Sequence, residues 1–274
     1  MFSSHNSRFG SGTPVVNNII LINVIMLLFT MLLRSSSGID LNRFFGLYYF
    51  ESEYFQPWQY ITYLFMHGNL MHLVFNMWGV WMFGKILERV WGSRRFFVYY
   101  FVTGIGAALL HTLVNYLLLS DIYSGIVAFS NTPSPEAFLE FIREHVKNPN
   151  PAVYDFINQW QDNPGDLQTA STAIAQLNGY LQTMVNVPTV GASGAVFGVL
   201  LAFGMLFPNT QLMLLFPPIP IKAKWFVLGY GAIELYLGVS QPGSSIAHFA
   251  HLGGMLFGFL LIRYWNSKRG PNLY

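Results

Sequence analysis

GASGAVFG, residues 191–198, opens an apolar run that reaches Phe207 without a charge. Its three glycines, two alanines and one hydroxyl allow two readings. Small residues let helix backbones approach closely inside a membrane, and Ser193 then only fills space at a crossing. Alternatively, Ser193 is a nucleophile at the first turn of a helix, where unpaired backbone N–H groups cluster. The rest of the chain has to decide between them.

Composition sets the solvent. Of 274 residues, 53% are hydrophobic and 9% are charged, with mean hydropathy +0.41. Soluble domains carry about 25% charged residues, so this composition points to a polytopic membrane protein. The N-terminus lacks the pattern of a cleaved signal, and the first apolar run reads as a retained helix. There are no cysteines, which removes disulfides, thiolate metal sites and cysteine nucleophiles. The net charge of +2 gives no sign of nucleic acid.

Six membrane spans are expected, at 14–33, 59–87, 95–119, 190–207, 225–239 and 245–265. The chain divides into a tail at 1–13, core spans at 14–119, an insert at 120–189, core spans at 190–266 and a tail at 267–274. With the N-terminus inside, ten of the fourteen basic residues lie inside: Arg8, Lys85, Arg89, Arg94, Arg95, Lys222, Lys224, Arg263, Lys268 and Arg269. Most acids fall outside. The bias predicts that both termini are cytoplasmic. The insert reads as three amphipathic helices. Ser134-Pro135 starts the first, Ala152–Gln161 forms the second, and Asp166 caps a third over 167–185. An insert that leads straight into Gly191 is read as a cap that limits or selects substrates.

Ionisable groups at membrane depth need a reason. His72 and Asn76 share a face of the second span, four residues apart. His248 and His251 lie in the outer half of the sixth, and Ser193 in the first turn of the fourth. The topology therefore brings all five to a similar depth. Gly191, Gly194 and Gly198 on the fourth span, and Gly254 and Gly258 on the sixth, are small positions at helical spacing. Packing through them brings Ser193 within reach of His251, with His248 a turn nearer the surface. A serine beside a histidine is a nucleophile with its base. Backbone N–H groups at Ser193, with His72 and Asn76, are candidate donors to a developing oxyanion. Phe197, one turn after Ser193, is placed to pack on the His251 ring.

Other readings stand beside these. His72 and Asn76 could simply hydrogen-bond between helices, and His67 and His111 could face water or another helix. Glu234 reads as a buried hydrogen-bond partner, and Glu88-Arg89 as an anchor for the loop after the second span. No metal is expected, because the histidine pair has no carboxylate or thiolate nearby.

Three blocks resemble the rhomboid intramembrane serine proteases: HGNLMHLVFNMWGVWMFG (67–84), GASGAVFG (191–198) and AHFAHLGGMLFG (247–258). The resemblance covers the six-helix core outside the insert. It implies an all-α, six-transmembrane-helix bundle that cleaves transmembrane substrates in or next to the membrane, with no cofactor. It implies Ser193 and His251 as a dyad without an acid, which selects His251 over His248 as the base. It also implies His72, Asn76 and the Ser193 N–H as the oxyanion site, with Gly191, Gly194, Phe197, Gly254 and Gly258 in support. The implied partners are single-pass or polytopic membrane protein substrates and the lipid bilayer, in a bacterial inner membrane. Trp58-Gln59 departs from the Trp-Arg pair common in this family, which leaves the first outer loop without its usual arginine. The rivals are a catalytically silent relative that binds membrane clients and a transporter. Intact Ser193 and His251 disfavour the first, and the lack of an internal repeat disfavours the second.

Overall fold

The structure is a computed structural model, and it describes residues 12–213, 218–240 and 247–268. Residues 1–11, 245–246 and 269–274, which carry parts of both expected tails and the expected start of the sixth span, lie outside it.

Nine helices of ten or more residues are described: α1 Pro14–Ser37, α2 Leu70–Trp91, α3 Ser93–Asn131, α4 Pro135–His145, α5 Pro151–Gln161, α6 Leu167–Val185, α7 Ser193–Leu206, α8 Ala223–Ser240 and α9 His248–Ser267. Of these, α1, α2 and α3 are long and apolar enough to cross a membrane, while α7 is apolar but shorter. On α1, Leu21, Ile25, Leu28 and Leu32 are exposed, as suits a face turned to lipid. Among the described residues one small antiparallel pair of strands, β1 Gln211–Met213 with β2 Pro220–Lys222, joins the helices, an element with no counterpart among the expected spans.

Two span boundaries differ from expectation. The second helix starts at Leu70, not at residue 59. Residues Gln59–Thr62 and Tyr63–Phe65 form separate short turns, and Met66 is extended. Asn69 then caps α2, its Oδ1 accepting from the His72 N–H at 2.9 Å. Gly68-Asn69 is the break, and it is hidden because apolar residues continue up to Met66. The third helix continues to Asn131, beyond the expected end at 119. Ile122, Ile126 and Phe129 keep a buried stripe at helical spacing, so the helix has an apolar face to bury well past Asp121.

The chain separates into two compact units, one of residues 1–47, 54–112 and 188–274, the other of residues 48–53 and 113–187. In the larger unit α7 is buried along most of its length and packs most extensively on α9. Glu88, 2% exposed, accepts from the Val15 and Val16 N–H groups at 3.0 and 2.9 Å and from Ser93 Oγ at 2.7 Å. It therefore caps α1, beyond anchoring the loop after α2. Gln59 is fully buried, donating to the Tyr54 carbonyl at 2.9 Å and accepting from the Gln56 N–H at 3.1 Å. An amide thus ties residues 54–59 together at the position where the family resemblance leads one to expect an arginine.

The smaller unit has its own core of Phe138, Phe141, Ile157, Trp160, Ala173 and Leu177, with the α3 stripe. Its helices begin where the capping residues stand. Ser134 Oγ accepts from the Ala137 N–H at 3.1 Å, Asn150 Oδ1 from Ala152 at 3.0 Å, and Asp166 from Gln168 and Thr169.

Candidate active site

The site lies within the larger unit and is built from the starts of two helices. Gly191 has φ +125°, a conformation that side chains rarely adopt, and a Cβ there would lie 2.7 Å from the His72 ring. Its N–H donates to the Tyr63 carbonyl at 3.0 Å. The chain turns there and enters α7 at Ser193. The Val196 N–H bonds the Ala192 carbonyl at 3.0 Å. The N–H groups of Ser193, Gly194 and Ala195 precede that bond and have no intrahelical acceptor. With the helix dipole they form a positive end suited to an anion.

The glycines bring α9 in. A Cβ on Gly254 would overlap the Gly194 carbonyl oxygen, so the two backbones touch one position after Ser193 and one turn after His251. The sequence reading assigned Gly198 and Gly258 to the same seam. Instead they face α3: a Cβ on Gly198 would meet Thr103 at 2.6 Å, and one on Gly258 would collide with the Tyr99 hydroxyl. The small residues therefore admit a third helix, because Tyr99 must reach the Gly198 carbonyl, to which it donates at 2.8 Å.

His251 Nε2 lies 2.8 Å from Ser193 Oγ. The imidazole stacks on Phe197 at 4.2 Å and 5° between planes. Phe197 in turn stacks on Tyr230 at 5.2 Å and 6°. This column of rings limits rotation of the base. Asn76 is buried, with Nδ2 3.1 Å from Nε2 of the buried His67. An amide nitrogen carries two hydrogens, so one can be held by His67 while the other stays available. The same Nδ2 lies 3.6 Å from where a Gly191 Cβ would sit. His72 and Asn76 thus line the Gly191 turn. His111 contacts Thr189 Oγ1 at 2.9 Å, two residues before that turn.

His67 has no place in the site on sequence grounds, yet it holds the Asn76 amide. Glu234 is the buried hydrogen-bond partner expected of it: its Oε2 lies 2.7 Å from His248 Nδ1 and 3.0 Å from His251 Nδ1. The premise that the histidine pair has no carboxylate nearby is therefore corrected. A signal existed, since Glu234 is the one acid in the last three expected spans. Ligand atoms of Glu234, His248 and His251 all lie within 4.8 Å of one another and could hold a metal ion. Their present contacts, at 2.7 and 3.0 Å between ring nitrogen and carboxylate oxygen, are those of direct side-chain pairing.

Chemically, the arrangement pairs a hydroxyl with an imidazole able to accept its proton, and backbone and side-chain N–H groups lie on the facing side. A Rhomboid domain model matches residues 54–138 and 167–267. The unmatched 139–166 falls in α4 and α5. Rhomboid protein 1, mitochondrial, of Saccharomyces cerevisiae is 38% identical over 73 residues, 27% of this chain and 21% of its own length. An uncharacterized mitochondrial rhomboid protein of Schizosaccharomyces pombe is 27% identical over 223 residues, 77% of this chain and 52% of its own. Rhomboid protease GlpG of Serratia proteamaculans is 32% identical over 77 residues, 28% and 27% of the two chains. The chain thus spans from about a fifth to about half the length of these relatives.

Proposed function

The chain belongs to the rhomboid family, and on that premise we propose that it is a serine-type intramembrane endopeptidase. Its six spans are α1, α2, α3, α7, α8 and α9, with both termini on the basic, cytoplasmic side. The charge bias supports that orientation. We assign it to a bacterial inner membrane, although the relatives are mitochondrial as well as bacterial.

Ser193 Oγ attacks the carbonyl carbon of the scissile peptide, and its proton passes to His251 Nε2. Negative charge then develops on the carbonyl oxygen. The Ser193 N–H, His72 and the free Asn76 hydrogen stabilise it in a water-poor site. Collapse expels the amine, which takes the proton from Nε2. Water then enters, again losing its proton to His251, and releases the acid. The substrates are membrane proteins whose chain can unwind where it meets the site. The 2.8 Å contact between Ser193 Oγ and His251 Nε2 carries this reading.

The test is cleavage of a transmembrane substrate in liposomes by wild type, Ser193→Ala, His251→Ala and His248→Ala. Loss in the first two variants is expected. Loss in His248→Ala with retention in His251→Ala would reassign the base. We also propose that the insert selects substrates, because it leads directly into the Gly191 turn. Deleting 134–184 is then expected to change which substrates are cut; an unchanged profile and rate would remove that role.

A further inference from the structure

Resting on the Ser193–His251 reading, we infer that Glu234 is a positioning residue for the base. Its carboxylate holds His251 in the tautomer with the proton on Nδ1 and balances the charge the ring gains when Ser193 attacks. A pair thereby becomes a Ser–His–Glu chain.

Three observations carry this. First, Glu234 is 6% exposed on α8, between Ile233 and Leu235, which are exposed. A carboxylate buried in an apolar span is costly unless it is partnered, so its position requires compensation. Second, one oxygen, Oε2, faces both Nδ1 atoms, at 2.7 Å for His248 and 3.0 Å for His251. Pinning α8 to α9 needs only His248. The second contact falls on the ring nitrogen opposite the one facing Ser193. Third, His251 Nδ1 is buried and has no aligned hydrogen-bond partner among the described residues, so Oε2 at ion-pair distance is the compensating charge they offer it. Resting enzymes often show such contacts loosely aligned, tightening as the reaction proceeds.

The proton account is simple. The Ser193 O–H bond breaks and Nε2–H forms, giving an imidazolium beside a carboxylate. The Nδ1 proton stays where it is, and the Nε2 proton leaves with the amine. His248 Nδ1, 2.7 Å from the same Oε2, keeps the carboxylate in place. The other titratable groups facing this trio are His72 from α2, His111 from α3 and Tyr230 from α8. All three are unchanged in the variants below.

The experiment compares wild type with Glu234→Gln and Glu234→Asp in liposomes, reading kcat, KM and the pH dependence of kcat on a transmembrane substrate. Active fractions are counted by fluorophosphonate labelling. Glu234→Gln is expected to lower kcat on the order of 10- to 1,000-fold with little change in KM, less than the roughly 10⁴-fold lost with the aligned acid of other serine triads. The carboxylate favours the protonated ring, and the base must be unprotonated, so the acidic limb of the profile moves to lower pH. Glu234→Asp restores part of kcat. If Glu234→Gln folds, keeps wild-type kcat and leaves the limb unmoved, the inference is overturned. If Glu234→Gln fails to fold, Glu234→Asp decides: full kcat with an unmoved limb overturns it, whereas a lowered kcat at equal KM with a shifted limb supports it. Wild-type activity abolished by a chelator and restored by zinc would assign the trio to a metal and overturn it too. Wild type that neither cleaves nor labels defeats the underlying protease reading instead.

Discussion

The two units obey different rules. In the smaller one, Ser134, Asn150 and Asp166 each stand one residue before a helix and cap it, and the apolar residues that follow bury toward a shared core. The information is local. In the larger unit the decisive contacts join residues far apart in the chain: Ser193 with His251, Gly254 with Gly194, Asn76 with His67, and Glu234 with two histidines. Local code makes helices, but only topology brings their polar groups to one place. Substitutions in the larger unit should therefore act on chemistry, and those in the smaller unit on stability.

The largest effect is expected from Ser193→Ala. Hydrolysis should fall by at least about 10³-fold, because the proposed reaction uses Ser193 as its nucleophile. Asn76→Ala follows: on the proposed oxyanion role, kcat should fall on the order of 10²–10³-fold with KM little changed, as when one such donor is lost. His67→Ala should cost less, since it loosens the amide without removing it. Gly254→Ala tests whether close approach is what delivers the base. A methyl group there meets the Gly194 backbone, so α7 and α9 must separate. Activity should drop steeply, and a lowered Tm should report about 1–3 kcal/mol of overpacking. If Gly254→Ala keeps full activity, the seam does not control the Ser193–His251 contact.

The smaller unit should respond differently. Trp160 is 1% exposed at the centre of its core. Trp160→Ala should destabilise that unit by about 3–5 kcal/mol, read as lost hydrogen-exchange protection in α4 to α6, with turnover per folded molecule held. A fall in kcat at equal folded fraction would break the separation between the units. The smallest effect is at the caps. Ser134→Ala should cost about 0.5–2 kcal/mol. Asp166 is held below the usual carboxylate range, first by the Thr169 hydroxyl and then by the Gln168 N–H. A depressed folded-state pKa means its contribution is present above the unfolded value of about 3.9 and is lost as pH falls through the folded one. Exchange protection at the start of α6 should therefore weaken only in acid.

Much of the scaffold was legible in the sequence. The α6 bounds, 167–185, follow from Asp166 and the spacing of Ala170, Ile174, Leu177 and Leu181. The convergence of Ser193, His251, His72 and Asn76 follows from the depth that the expected spans and their charge bias assign to each residue. What escaped depends on tertiary contact. The break at Met66 to Asn69 is masked by apolar residues on both sides. The extension of α3 past Asp121 is driven by packing on α4 to α6 helices, which no local signal announces. Glu234 was visible as an expensive acid, but its partners lie 14 and 17 residues later on another helix. The reach of Gly198 and Gly258 to α3, not to each other's helix, is likewise set by three-helix packing. Spacing on one strip of sequence cannot say which neighbour a small residue admits.

The central claim is that Ser193 is activated by His251, and labelling tests it most directly. Wild-type protein in liposomes is treated with a fluorophosphonate, and the modified peptide is identified by mass spectrometry. The account predicts modification at Ser193 in wild type, none in Ser193→Ala, and a large fall in labelling rate in His251→Ala. Labelling that persists in Ser193→Ala, or that is unaffected by His251→Ala, would contradict it.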